Sequence, residues 1–234
     1  MIAKEIRYVP GETAALLMVD IQPDFMPGGA LAVAGGDEIV EIVVRLAPHF
    51  AHLVATQDWH PDGHRSFGSS HGLPPFTHLD QQLAESSGAD DELVEYLRLV
   101  GGQMMWPDHC VQGTPGAALH AAVVALEPLV FQKGADPIVD SYSGLRDNAK
   151  RDTGLTDVLR GLGITELTVV GLALDYCVGF TCLDAAAAGF RVHLVLPATR
   201  AVGDATDMLN RLEQAGVVFL DADLSECDRL GARA

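Results

Sequence analysis

The chain has 234 residues, 48% of them hydrophobic, and a formal net charge of −17. That apolar fraction excludes a disordered acidic tail, and the length is ample for one large α/β domain whose core needs no covalent staple. Only three of the cations are lysines (Lys4, Lys133 and Lys150) and no basic stripe exists, so nucleic acid is not expected as a partner.

The first apolar run, Ala14 to Val19, ends in Asp20 and is far short of the roughly 20 residues a membrane span requires. Pro10, Gly11 and Glu12 stand where the hydrophobic region of a signal peptide would begin, so no membrane contact is expected and the compartment read is the cytoplasm. A helical pattern from Glu38 to Phe50 follows Gly35-Gly36-Asp37, and the run Leu53 to Thr56 comes next. The stretch Pro61 to Trp106 breaks this rhythm. It is rich in Gly, Pro, Ser and His, with one short helix at Glu92 to Leu99, and reads as a loop excursion at about 61–108 from a single domain spanning 1–234.

Thr114 followed by Pro115 is a clear helix start, predicting a helix to Leu126. The run Leu129 to Phe131, a helix at Leu155 to Leu162 and the run Leu167 to Ala173 follow. Then come a helix at Tyr176 to Ala188 stopped by Gly189, the run Val192 to Leu196, a helix at Ala205 to Ala215, and a weaker run at Val217 to Leu220. Strand-like runs alternating with helices generate an α/β fold with a parallel sheet covered on both faces. The four cysteines (Cys110, Cys177, Cys182, Cys227) include no CxxC pair and are read as thiols.

In open parallel sheets, ligands bind beyond the carboxyl ends of the strands. Asp20, then Asp58 with His60, then Lys133 and finally Cys177 each follow an apolar run, and right-handed crossovers bring these ends to one edge. Cys177 is the candidate nucleophile, since a thiol in the first turn of a helix feels the positive end of the macrodipole and a nearby ammonium adds to it. Most free cysteines are otherwise small buried residues. Asp20, directly at the strand end, is the candidate proton acceptor, with Asp24 competing for the role. Asp58 and His60 form an Asp-x-His pair with both side chains on one side of an extended chain. A distant His109 would complete a partly open metal site, with His64 as a fourth ligand or a supporting partner. Such a set suits zinc, iron or manganese, and the alternative is that these loop histidines are simply solvated.

With these residues in view, the chain resembles the nicotinamidases, also called pyrazinamidases, within the isochorismatase-like cysteine hydrolases. The matching segments are VDIQPDF, GGALAVAGG, ATQDWHPDGHRSF, WPDHCVQGTPGAALH, VFQKGADPIVDSYSG and GLALDYCVGFTCLDA, and they span nearly the whole chain in order. The resemblance implies a three-layer α/β/α fold around a six-stranded, mainly parallel sheet. It implies Asp20, Lys133 and Cys177 as a catalytic triad, and the amides of Ala173 and Cys177 as an oxyanion hole beside a cis peptide at Leu172-Ala173. It implies Phe25 and Trp106 as aromatic walls for a pyridine ring, with Tyr142 at the pocket border. One divalent metal ion, zinc ahead of iron or manganese, would be held by Asp58, His60 and His109, with His64 matching a position that ligates metal in some members. The substrate would be a small pyridine carboxamide, hydrolysed to nicotinate and ammonia through a cysteine thioester, and a homo-oligomer is common in the family. Leu174 stands where many members carry threonine, and the stretch between His60 and His109 is longer than in compact members.

Three rival readings remain open at this level. Another small amide could be the substrate, metal-bound water could be the nucleophile with Cys177 merely packing, or the scaffold could be an inactive binding module.

Overall fold

A computed structural model describes residues 7–227; Lys4 lies outside the described residues. Six strands form one all-parallel sheet: β1 (Ala14–Val19), β2 (His52–Asp58), β5 (Leu129–Lys133), β6 (Glu166–Leu172), β7 (Arg191–Arg200) and β8 (Val218–Leu220), in the order β5-β2-β1-β6-β7-β8. Every residue of β1 is buried, as expected of a central strand with both faces covered. One face packs on α1 (Ile39–Leu46) through Ile39, Val43 and Leu46, and on the single turn α4 (Ala121–Val124) through Val123. The other face is covered by α5 (Leu155–Gly161), α6 (Gly179–Ala187) and α7 (Thr206–Gln214), which contribute Leu155, Leu159, Cys182, Ala185, Met208 and Leu212. This is the three-layer α/β/α arrangement. No helix among the described residues is long and apolar enough to cross a membrane, and the four cysteines form no disulfide.

Strand order reverses between β1 and β6, so the crevice of an open α/β sheet opens at their carboxyl ends. Three strands run further than hydrophobicity alone indicates, β7 among them, which continues past Leu196 to Arg200. β2 continues to Asp58 and β5 to Lys133, because ladder hydrogen bonds pair Gln57 with Gln132 and Asp58 with Lys133 whatever the polarity of the side chains. Asp58 and Lys133 therefore sit on rigid strand ends instead of in loops.

Two sequence expectations change. The predicted helix from Pro115 to Leu126 is broken into a 3-10 turn, Pro115–Ala117, and the short α4. Thr114 does cap the turn through Ala117 N. Gly116, however, lies so close to Asp24 that a Cβ would meet its carboxylate at 2.2 Å, and His120 N donates to Ile21 O, which pulls the chain out of helical register. The excursion carries more structure than one helix. It contains β3 (Thr77–Leu79) paired antiparallel with β4 (Gln103–Met105), α2 (Gln81–Ser87) and α3 (Asp91–Val100). Asp80 and Asp90 cap the two helices by accepting from Leu83 N and Leu93 N. Leu79, Leu93, Tyr96, Leu97 and Met105 give this segment its own small core, joined to the main body through Val139.

Candidate active site

Asp20 directly follows β1, with φ of +48°, and is completely buried. Its Oδ1 accepts from Thr56 Oγ1 at 2.6 Å, and its Oδ2 lies 2.9 Å from Lys133 Nζ. Thr56 and Asp58 alternate along β2 so that both face this point. The Lys133 ammonium is the hub of the site. It donates to Asp58 Oδ1 at 3.0 Å, to Ser141 O at 2.8 Å and to Cys177 Sγ at 3.4 Å. Cys177 is held in a π turn, Leu174–Val178, between β6 and α6, and the Leu172-Ala173 peptide ahead of it is cis. Leu174 packs into the core beneath the turn.

The charges settle each other's protonation. Burial works against the Lys133 ammonium, but Asp20 and Asp58 outweigh it and hold its pKa well above the usual lysine range. Burial raises the pKa of Asp20 despite the opposing pull of Lys133, and burial with the two carboxylates drives the Cys177 thiol well up against the same lysine. Burial and the two carboxylates thus oppose the thiolate that helix position and a neighbouring ammonium favour. Beside the sulfur stands a carboxylate whose raised pKa suits it to accept and return a proton.

Asp58 uses its two oxygens separately. Oδ1 faces the lysine, while Oδ2 lies 3.0 Å from His60 Nε2 and 3.4 Å from His109 Nε2. One donor atom from each of Asp58, His60 and His109 fits within 4.8 Å of the others, and all three residues are buried. Each imidazole directs its other nitrogen at a backbone carbonyl: His60 Nδ1 to Gly134 O at 2.9 Å and His109 Nδ1 to Pro107 O at 2.8 Å. A proton on Nδ1 leaves the Nε2 lone pair facing the centre, the tautomer that metal ligation requires. The donor set thus fits a divalent ion with an open coordination position.

His64 stands outside this cluster. Its Nδ1 receives Ser66 N–H at 3.1 Å and its Nε2 meets Asp136 O at 2.8 Å, so both ring nitrogens serve the loop. Burial lowers its pKa to about 4, and its ring lies tilted against that of His60, with centroids 4.4 Å apart.

A small pocket opens over Cys177 and Lys133, walled mainly by aromatic side chains. Phe25, Trp106 and Tyr142 line it, as do Asp58, His109 and Ala173. Trp106 meets Tyr142 and Tyr176 edge to face, with centroids 6.3 and 4.7 Å apart. Sequence reasoning missed several participants. Tyr176 was signalled only by adjacency to Cys177. Asp140 and Ser141 lie in a loop with no periodicity. Gln22, fully buried, clamps Asp58 at both backbone groups, accepting from Asp58 N at 2.7 Å and donating to Asp58 O at 2.8 Å.

Comparisons with known proteins agree with this geometry. Residues 14–223 match the isochorismatase domain model. A nicotinamidase from Escherichia coli K12 is 44% identical over 80% of this chain and 83% of its own length. Among solved structures, the Acinetobacter baumanii nicotinamidase/pyrazinamidase superposes with a TM-score of 0.78 at 36% identity, covering 91% of this chain and 97% of its own. A Pyrococcus horikoshii pyrazinamidase solved in complex with zinc does so with a TM-score of 0.66 at 31% identity, over 89% of this chain and 99% of its own. With the match running through nearly all of the described fold and through the strand ends that carry the pocket, the chain belongs to the isochorismatase family.

Proposed function

We propose that this protein hydrolyses the carboxamide of nicotinamide, and of its diaza analogue pyrazinamide, to the acid and ammonia. The observation that carries the reading is the contact of Cys177 Sγ with Lys133 Nζ at 3.4 Å, on the floor of an aromatic pocket, with Asp20 paired to the same ammonium. The similarity to nicotinamidases over most of the chain supports the choice of substrate.

In this reading Asp20 takes the Cys177 thiol proton as sulfur attacks the carboxamide carbon and the C–S bond forms. The carbonyl oxygen becomes an oxyanion received by the Ala173 and Cys177 amides, each such donor being worth about 3 kcal/mol in comparable sites. Collapse breaks the C–N bond, and protonated Asp20 delivers its proton to the leaving amine, releasing ammonia. Asp20 next accepts a proton from water attacking the thioester, and the C–S bond breaks to free the carboxylic acid and regenerate the thiol. Lys133 stays charged throughout and offsets negative charge on carboxylate and sulfur. Phe25, Trp106 and Tyr142 hold the ring flat against the nucleophile. Asp58, His60 and His109 would hold one divalent ion, read as zinc, which when bound supplies a Lewis-acid contact for the ring nitrogen.

Ammonia release from nicotinamide tests the reading, with wild type and Cys177→Ala assayed side by side. We expect turnover by the wild type and at least about a thousandfold loss in the variant, with unchanged folding by circular dichroism. Turnover retained by Cys177→Ala would remove sulfur from the mechanism and leave water as the nucleophile.

A further inference from the structure

Gln103, on β4 of the excursion, is almost fully buried and is engaged by five polar partners. Its Oε1 accepts from Tyr96 Oη at 2.8 Å and from Asn148 Nδ2 at 3.2 Å. The two hydrogens of its Nε2 are shared among three oxygens, with Met104 O and Tyr142 Oη the closer at 2.9 Å each and Asp140 Oδ2 at 3.2 Å. The amide cannot be turned over, because its oxygen would then face the Asp140 carboxylate. Asn148 grips the same loop a second time, its Oδ1 accepting from Tyr142 N at 3.1 Å. Tyr142 is thus fixed at backbone and hydroxyl by residues that touch no reacting atom.

The hydroxyl itself is left in an unusual state. Tyr142 Oη accepts from Gln103 Nε2 and also from Trp106 Nε1, at 3.3 Å, so both of its lone pairs are engaged. Among the described residues its O–H finds no acceptor, although Tyr142 lines the pocket. A phenol proton with no protein acceptor at the pocket wall is open to an acceptor on a bound ligand.

We propose that Gln103 is a positioning residue for substrate binding: with Trp106 it consumes the acceptor capacity of the Tyr142 hydroxyl and so presents its proton to a hydrogen-bond acceptor of the bound pyridine carboxamide. The excursion then acts as a brace for the aromatic wall, and its effect falls on substrate affinity. The proposal rests on the function proposed above.

The test is a double-mutant cycle in steady-state kinetics with nicotinamide, using wild type, Gln103→Met, Tyr142→Phe and the double variant. Each single variant is expected to raise KM about tenfold with kcat changed less than about threefold, since a ligand hydrogen bond is lost and the reacting groups are not moved. The double variant should be no more than about twofold worse than the weaker-binding single, because both changes remove one interaction. Should Gln103→Met fail to fold by circular dichroism, Asn148→Ala takes its place in the cycle. KM values within twofold of wild type in folded variants, a fall in kcat at constant KM, or singles that simply multiply would each overturn the proposal. A wild type without turnover would overturn the reading of the pocket and this proposal with it, whereas normal turnover with unresponsive variants overturns the proposal alone.

Discussion

Gly134 follows the hub lysine with φ of +67°, and a Cβ there would stand 2.6 Å from His60 Cε1 and 2.9 Å from Asp58 Oδ1. Its carbonyl also receives His60 Nδ1–H, so one backbone position both orients the imidazole and allows its close approach. Gly134→Ala should displace His60 and Asp58 while leaving the sheet intact. We expect zinc affinity, measured by chelator competition, to fall roughly 10–100-fold, the range seen when support around a metal ligand is lost. Unchanged affinity would show that His60 does not depend on this approach. Lys133 illustrates a different economy at the same scale. One ammonium serves Asp20, Asp58 and Cys177, so the candidate nucleophile and the candidate metal cluster share a single buried cation.

Among the elements, the join of β1 to β6 sets the distance across the crevice. Gly171 lies at φ of +122°, where its missing side chain lets Val19 O approach to 2.0 Å from the place a Cβ would occupy. The ladder between β6 and β7 also shifts register between Val169 and Gly171. Gly171→Ala must push β1 from β6, and Asp20 is the next residue after Val19. The expected outcome is a loss of about 1–3 kcal/mol in urea denaturation, with activity falling more than about tenfold as Asp20 leaves the sulfur. A variant with wild-type stability and rate would mean that the strands part without moving the carboxylate. The excursion shows the opposite behaviour. Its capped helices and two-stranded sheet form a separate small core, coupled to the pocket through Val139, Trp106 and the Gln103 network.

Across the whole molecule, the two ends of the described chain are stitched together over β7. Tyr8 N donates to Leu224 O, Arg7 bridges Ser225, and the Tyr8 ring lies 4.0 Å from that of His193. Burial lowers the His193 pKa from 6.5, with Glu166 opposing and Arg191 assisting. A histidine kept neutral in the fold binds its proton more readily when unfolded. Its contribution is therefore present above about pH 6.5 and is lost as pH falls through the window below that value. Urea denaturation between pH 8 and pH 5 should show this decline in wild type and a shallower one in His193→Gln. Equal slopes would assign the acid sensitivity to other groups.

Much of this architecture was legible without coordinates. Ala14 to Val19 and its counterparts are continuous apolar runs ended by polar residues, and hydrophobic burial depends on local composition, so the six strands of the main sheet, their parallel arrangement and the positions of Asp20, Asp58, Lys133 and Cys177 at or after strand ends could be read from the chain itself. What only the tertiary structure decided depends on partners distant in sequence. Asp24 and Ile21 break the helix predicted after Thr114; Ser66 and Asp136 turn His64 away from the cluster; Asp140, Tyr142 and Asn148 give Gln103 its role. The protonation of Cys177 belongs to the same class. Helix position and a nearby lysine favour thiolate, but burial and two carboxylates push the other way, because the cost of burying charge is set by everything that surrounds it.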